Sequence, residues 1–288
     1  MSALSIKGLS KSYSSIKLHK VAALVGLDLS VDRGEVFGFL GPNGAGKSTT
    51  IKSIMGLIRP TAGSVHVFGV PAIDPISRSR MGYLPENPSF FDFMTAREYL
   101  TFVGSTYGMD HSALQKESER VLHLMDLNKA ADRPIHGYSK GMVQRLGLAQ
   151  ALVHDPDMYI LDEPMSGLDP IGRALVKDII HDLKQRGKTV FFSTHITADV
   201  EAVCDRVGVI AKGVLEAVNS VDSILEKGII GFVIRFSRPE GPDEEIHVSR
   251  EELDATMRDL LASRVVIKGV EPKRKDMESF FLSVVSRI

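Results

Sequence analysis

Cysteine is almost absent from this sequence of 288 residues: Cys204 stands alone. No disulfide can form within the chain, and that usage fits a reducing compartment. Neither sign of charge dominates, and the formal net charge is -1. The electrostatic case for a nucleic-acid partner is therefore missing. No uninterrupted apolar run approaches the roughly 18 residues a membrane helix needs. Runs such as IIGFVI suit buried strands instead. The opening MSALSIKGLS lacks a basic stretch followed by an apolar core, so no signal peptide is expected. Repeats, low-complexity tracts and long linkers are also lacking. If this chain works at a membrane, another chain must cross it.

What is present is an alternation of strand and helix patterns, in a length that suits one large domain with an appendage, or two domains. Leu27, Leu29 and Val31 alternate with polar residues, and Arg33-Gly34 follow as a turn. VFGFL (36–40) is a short continuous apolar run, the mark of a strand covered on both faces. MYIL (158–161), TVFFS (189–193) and VGVIA (207–211) repeat the mark, each separated by helical stretches, which predicts an α/β core. Between about 88 and 150 the strand signal gives way to TAREYLTFVGSTYG and SALQKESERVLHLM. In the second, Leu114, Val121, Leu122 and Met125 share one helical face, which predicts a helical insertion.

A smaller unit is expected from about Gly228. Phe232, Ile234 and Phe236 alternate as in a half-buried strand, and VVI (265–267) reads as another. Leu253, Met257, Leu260 and Leu261 form one helical stripe, and Met277, Phe281, Val284 and Ile288 a second. RPEGPDEE (238–245) reads as a turn or exposed loop.

The chemistry concentrates in four places. GPNGAGKS (41–48) matches G-x-x-x-x-G-K-[ST] between a predicted strand and a predicted helix, the context the motif requires. Its glycines let backbone N–H groups turn toward phosphates, and the helix N-terminus adds partial positive charge. Lys47 is expected to reach the β and γ phosphates and Ser48 to ligate Mg²⁺. Gly41, Pro42, Asn43, Gly44, Ala45, Gly46 and Thr49 complete the phosphate-binding set, which by itself suits many NTPases. In MYILDEP (158–164), Asp162 ends an apolar strand and is the expected metal-side carboxylate. Glu163 follows, points another way and suits a base for the attacking water. YSKGMVQR (138–145) opens a helix with Ser139 at the N-cap, and STH (193–195) ends a strand.

In this order and spacing the motifs resemble the nucleotide-binding subunit of an ABC (ATP-binding cassette) transporter, from about residue 4 to about 228. The resemblance implies a P-loop cassette over 1–228: a RecA-like core, an antiparallel β subdomain and an inserted helical subdomain. A small α+β accessory unit would occupy 229–288, either supporting dimerisation or regulation or only packing on the cassette. YSKGM takes the place of the family signature LSGGQ, so Ser139, Lys140, Gly141 and Met142 would contact ATP bound to a second cassette. Tyr138, Lys140 and Met142 depart from the common form. His195 matches the switch histidine on the γ-phosphate, and Asp169 in SGLD (166–169) the aspartate linking the two sites. Tyr13 matches the aromatic that stacks on adenine; covering a sheet edge is its bland alternative. The implied cofactors are ATP and Mg²⁺. The implied partners are a polytopic membrane permease and a second cassette, without nucleic acid, at the inner face of the cell membrane.

In MGYLPENPSFF (81–91), Glu86 stands where the family usually has glutamine. A carboxylate is a good Mg²⁺ ligand, so Glu86 joins Lys47, Glu163 and His195 as a catalytic candidate and Ser48 and Asp162 as a metal candidate. The GYLPE form and the C-terminal helix resemble export-type cassettes with separately encoded permeases. Phe90, Phe91 and Phe93 would lie near the permease-facing groove or be buried in the helical subdomain. The alternatives from other classes are a non-transport ABC ATPase and a regulatory ATP-binding module.

Overall fold

The computed structural model describes residues 2–14, 20–227, 229–238, 241–263, 265–274 and 277–286. The chain divides into two compact units, Met1–Val218 and Asn219–Ile288.

The first unit is built on a six-stranded sheet. Its spatial order is β10 (Val214–Ser220), β9 (Arg206–Ala211), β3 (Val36–Leu40), β8 (Thr189–Thr194), β7 (Met158–Asp162) and β6 (Met81–Leu84). β3 pairs parallel with both β8 and β9, and β7 pairs parallel with β6 and β8. Every residue of β3, β7 and β8 is buried, which is why VFGFL, MYIL and the VFF at the centre of β8 are apolar runs without alternation. The register sets Leu40 beside Thr194, Asp162 beside Ser193 and Leu84 beside Leu161. Four strands thus end at one edge, and the loops that follow carry the P-loop, Glu86, Glu163 and His195. Ligands of parallel sheets bind at that edge.

A second sheet has the order β2 (Lys20–Asp32), β1 (Ser2–Ser14), β4 (Ala62–Val67) and β5 (Val70–Pro71). The β1–β2 pairing is antiparallel with several register shifts. One face of this sheet contributes Leu4, Ile6, Leu9, Leu24, Leu27 and Leu29 to the main core, beside Phe37, Phe39 and Phe191. The P-loop helix α1 (Lys47–Ile54) buries Ile51 and Ile54 in the same core.

A short helix, α2 (Pro75–Ser79), precedes β6. The helical segment then holds α3 (Ala96–Thr106), α4 (His111–Leu124) and α5 (Lys140–Leu152). Each start is capped as its residues require. Thr95 and Glu98 form a reciprocal capping box, Asp110 accepts from Ser112 and Ala113, and Ser139 accepts from Met142. Leu114, Val121, Leu122 and Met125 are all buried, as the helical face predicts. After β7 come α6 (Pro170–Gln185) and, beyond β8, α7 (Thr197–Val203). Asp199 of α7 is buried and receives the Arg173 guanidinium of α6 on both oxygens, at 2.8 and 2.9 Å.

At Gly82 in β6 the backbone of α5 packs close against the strand. A Cβ there would stand 2.2 Å from the carbonyl oxygen of Ala151 and 3.1 Å from Pro156. Backbone cannot swing aside as a side chain can. Gly82→Ala is expected to destabilise the chain by about 1–3 kcal/mol, read as a lower denaturant midpoint.

The second unit begins with α8 (Val221–Lys227), which packs on α10 (Met277–Val285). That packing puts the unit boundary ahead of Gly228. Its antiparallel sheet has the order β12 (Asp243–Val248), β11 (Ile229–Ser237), β13 (Val266–Arg274). Ile234 and Phe236 are buried. The segment expected as a loop over 238–245 is strand from Asp243 onward, with Asp243 paired to Lys268 and Glu244 to Arg238. α9 (Leu253–Ala262) half-buries Leu253, Met257 and Leu260 but leaves Leu261 62% exposed, so Leu261 leaves the expected stripe. Ile288, placed on the last stripe, and residues 239–240 of the loop lie outside the described residues.

Candidate functional site: a nucleotide cleft at the carboxyl edge of the sheet

The loop between β3 and α1 turns through Gly44 (φ 78°) and Gly46 (φ 112°). Only glycine adopts the second conformation without strain. Gly41 N–H donates to Thr194 O at 3.2 Å, and Gly213 N–H donates to Ala45 O at 2.9 Å, so the loop is pinned from two sides. Ala45 is buried between these anchors.

Lys47 Nζ donates to Gly41 O at 2.8 Å and Pro42 O at 3.3 Å, and lies 3.4 Å from Glu163 Oε1. Both side chains of that ion pair are under a tenth exposed. His195 Nδ1 stands 3.0 Å from Glu163 Oε2 and 3.1 Å from Oε1. A carboxylate only accepts, so Nδ1 carries a proton and Nε2 is left outside this bond. Lys47, Glu163 and His195 therefore form one continuous polar chain.

Glu163 has φ 51°, a left-handed conformation uncommon for a residue with a Cβ. Its carboxylate meets Lys47 and His195, whereas that of Asp162 accepts from Ser193, so the two successive acids have different partners. The Glu163 peptide is held on both sides. Its N–H donates to Ser193 O at 3.2 Å and Ser193 Oγ at 3.1 Å. Its carbonyl accepts from Gln144 Nε2 at 3.4 Å and from Ser166 N–H at 3.0 Å.

Asp162 is buried, and Ser193 Oγ donates to its Oδ1 at 2.5 Å. Burial pushes this carboxyl above the usual carboxylate range; hydrogen bonds from Ser193 and Ser48 oppose the rise, and the Glu163 charge adds to it. Tyr83, across the strand pair, has its phenol pushed up to about 12, by burial first and the Asp162 charge second.

Lys47 and Glu163 open into a cleft of about 250 Å³ lined also by Ala23, Asn43, Gly44, Gly46, Ser48, Thr49 and Glu86, while Asp162 and His195 lie outside its lining. Glu86 thus faces the same space as the P-loop. Its neighbours divide: Phe90 is half-buried, edge-on to Tyr99 at 4.9 Å, while Phe91 and Phe93 are exposed and cluster with Phe102. Tyr13 does not line the cleft. It is 42% exposed, next to the last residue of β1, with Lys11 Nζ 5.1 Å from its ring centre.

The signature residues and Asp169 stand apart from the cleft but next to each other. The Lys140 side chain lies over Gly167, and Gly141 faces Leu168. Asp169 caps α6, accepting from Gly172 N–H at 2.8 Å. Nothing in the sequence marks Ser193 or Gln144 as functional, although both lie within the STH and YSKGMVQR motifs. Each is one polar residue in a buried setting, and only the fold shows what it bonds.

The model of the ABC transporter family matches residues 24–166. An ABC transporter ATP-binding protein of Bacillus subtilis, YxlF, is 36% identical over 98% of this chain and 99% of its own length. The chain belongs to the ABC transporter ATP-binding proteins. A Synechocystis member of the family is 46% identical over 72% of the chain. The match spans 59% of that relative's length, and 62% of another relative's at 43% identity. The Nod factor export ATP-binding protein I of Burkholderia lata is 39% identical over 80% of this chain and 75% of its own. Among solved structures, an ATP-binding subunit of an ABC transporter superposes with a TM-score of 0.71 at 32% identity, covering 77% of this chain and 91% of that one. The fold is that of an ABC ATPase cassette. Among the described residues no helix is long and apolar enough to cross a membrane.

The donor set fits a small hard cation completed by nucleotide oxygens. Among the described residues no three His, Cys, Asp or Glu side chains gather as a self-sufficient metal cage. Ser48, Asp162 and Glu86 offer only oxygen, the preference of Mg²⁺, which usually keeps few protein ligands beside substrate phosphates.

Proposed function

We propose that this cassette binds ATP with Mg²⁺ and hydrolyses it, driving a separately encoded membrane permease, with export as the direction. The observation that carries the reading is the polar chain Lys47–Glu163–His195 at the mouth of the P-loop, at 3.4 and 3.0 Å. Lys47 and the P-loop N–H groups bind the phosphates. Glu163 takes the proton of the attacking water, and His195 orients that carboxylate through Nδ1. Ser48, Asp162 and Glu86 would hold Mg²⁺, which neutralises charge developing on the phosphates. Ser139, Lys140, Gly141 and Met142 are free of the cleft of their own chain. That supports the reading that they serve ATP held by a second cassette in a head-to-tail dimer, with Asp169 beside them at the junction. Tyr13 is the adenine platform in this reading. The exposed Phe91, Phe93 and Phe102 are the permease-facing surface, and residues 219–288 are an accessory unit.

Export is supported by the Glu86 form of the cleft and by relatives named for export. Co-purification from native membranes, with Mg²⁺-dependent ATPase measured on what is recovered, tests the whole. Recovery with ribosomes or DNA, and without a polytopic membrane protein, overturns it.

Glu86→Gln is expected to raise the Mg²⁺ concentration needed for half-maximal ATPase by about threefold to tenfold, because a charged ligand becomes a neutral one. A titration of activity against Mg²⁺ at saturating ATP checks it. An unchanged midpoint makes Glu86 a hinge residue only.

A further inference from the structure

Helix α5 links three candidate functional parts along its length: the signature, the Glu163 peptide and the segment around Glu86. Its first residues are the signature, capped by Ser139. In its second turn, Gln144 is 5% exposed and sends Nε2 to two backbone carbonyls, Glu163 O at 3.4 Å and Pro164 O at 3.2 Å. Further on, Gly147 packs without a gap against the residues flanking Glu86. A Cβ there would fall 2.7 Å from Leu84 and 2.9 Å from Pro88.

Glu163 is the residue whose backbone needs holding, because its left-handed conformation is costly for a residue with a Cβ. From the sheet side Ser193 holds the N–H. From the helix side the Gln144 amide holds the carbonyl and the next one. Neither Ser193 nor the sheet can report where the signature is; Gln144 can, since it rides on the signature helix.

We propose that Gln144 is a positioning residue that ties the orientation of the Glu163 carboxylate to the position of α5. Engagement of the signature by a second cassette's nucleotide would then be felt at this chain's own catalytic carboxylate within one rigid helix. This rests on the reading of Glu163 as the base in ATP hydrolysis. An amide donor is required for the tie: carbonyls only accept, so removal of the donor takes the Gln144 bond from Pro164 O and leaves Glu163 O with the Ser166 N–H alone, which comes from its own loop and not from α5.

The test uses the full chain with its membrane partner and two variants of similar size, Gln144→Met and Gln144→Glu, each lacking the amide donor. Both are expected to lower kcat by roughly tenfold or more while KM for ATP stays within about twofold, because the phosphate contacts are untouched and only the base is misplaced. Backbone hydrogen exchange over 162–166 is expected to quicken in both variants. Placed on Glu163→Gln, Gln144→Met is expected to cost no further activity, since the residue acts through the carboxylate already removed. Unchanged kcat, unchanged exchange over 162–166, or an undiminished loss in the Glu163→Gln background each overturns the proposal. If the unmodified complex shows no ATPase, the hydrolysis reading fails instead, and the exchange measurement still decides whether Gln144 holds this peptide.

Discussion

Glu163→Gln is expected to keep ATP binding and to lose ATP hydrolysis by about a hundredfold or more, the range assigned to a positioned general base. Glutamine has the same length and can still accept the His195 Nδ1–H bond, seen at 3.0 Å, through its amide oxygen. It cannot take a proton from water. The P-loop contacts that bind phosphate, from the backbone N–H groups and from Lys47, do not depend on the carboxylate. Nucleotide affinity should therefore change by no more than a few-fold. Steady-state ATPase with the membrane partner present, beside a direct binding titration with ATP, checks both halves. In the head-to-tail reading, the variant should also accumulate as an ATP-bound dimer, visible by size-exclusion chromatography. Near-normal turnover would remove Glu163 from the role of base.

Lys47→Ala is expected to act on the other half of the cleft, weakening nucleotide affinity by about tenfold to a hundredfold. This corresponds to loss of charge-assisted hydrogen bonds of about 1.5–3 kcal/mol. Lys47 also sets local structure, because its Nζ gathers the carbonyls of Gly41 and Pro42 and the carboxylate of Glu163. Its removal leaves a carboxylate that is 9% exposed without its cation, and a buried unpaired charge is costly. Two separate deficits follow, one in nucleotide binding and one in the free protein. Equilibrium binding of ADP and ATP measures the first, and thermal melting without nucleotide the second. Unchanged affinity with lowered melting would make Lys47 a structural brace.

The parts of the cleft that the sequence reveals are those where chemistry restricts residue type at fixed spacing. The P-loop allows few alternatives at Gly46 and Lys47, and the buried strands β7 and β8 announce themselves as apolar runs that end in Asp162 and Thr194. The helical insertion is legible because the face of α4 is. β1 is harder. Its pairing with β2 shifts register at several places, which breaks the period-two alternation on which strand reading relies. The loop expected over 238–245 hides the start of β12 for a different reason. Asp243, Glu244 and Glu245 are poor strand formers alone, and their ion-pair partners Lys268, Arg238 and Arg235, of which Arg235 stands directly across on β11, are brought to them by the folded sheet. Gln144 and Ser193 have no periodicity to read; each bonds a peptide brought close by the parallel sheet.

The left-handed backbone at Glu163 has an evolutionary side. Glycine at that position would relieve the strain and favour the fold, yet it carries no carboxylate. Persistence of the fold and turnover of ATP thus make opposed demands on one codon. Such a position is a place where random drift toward stability silences an enzyme. The neighbours that hold its peptide keep a strained but active residue from becoming a liability to the rest of the chain.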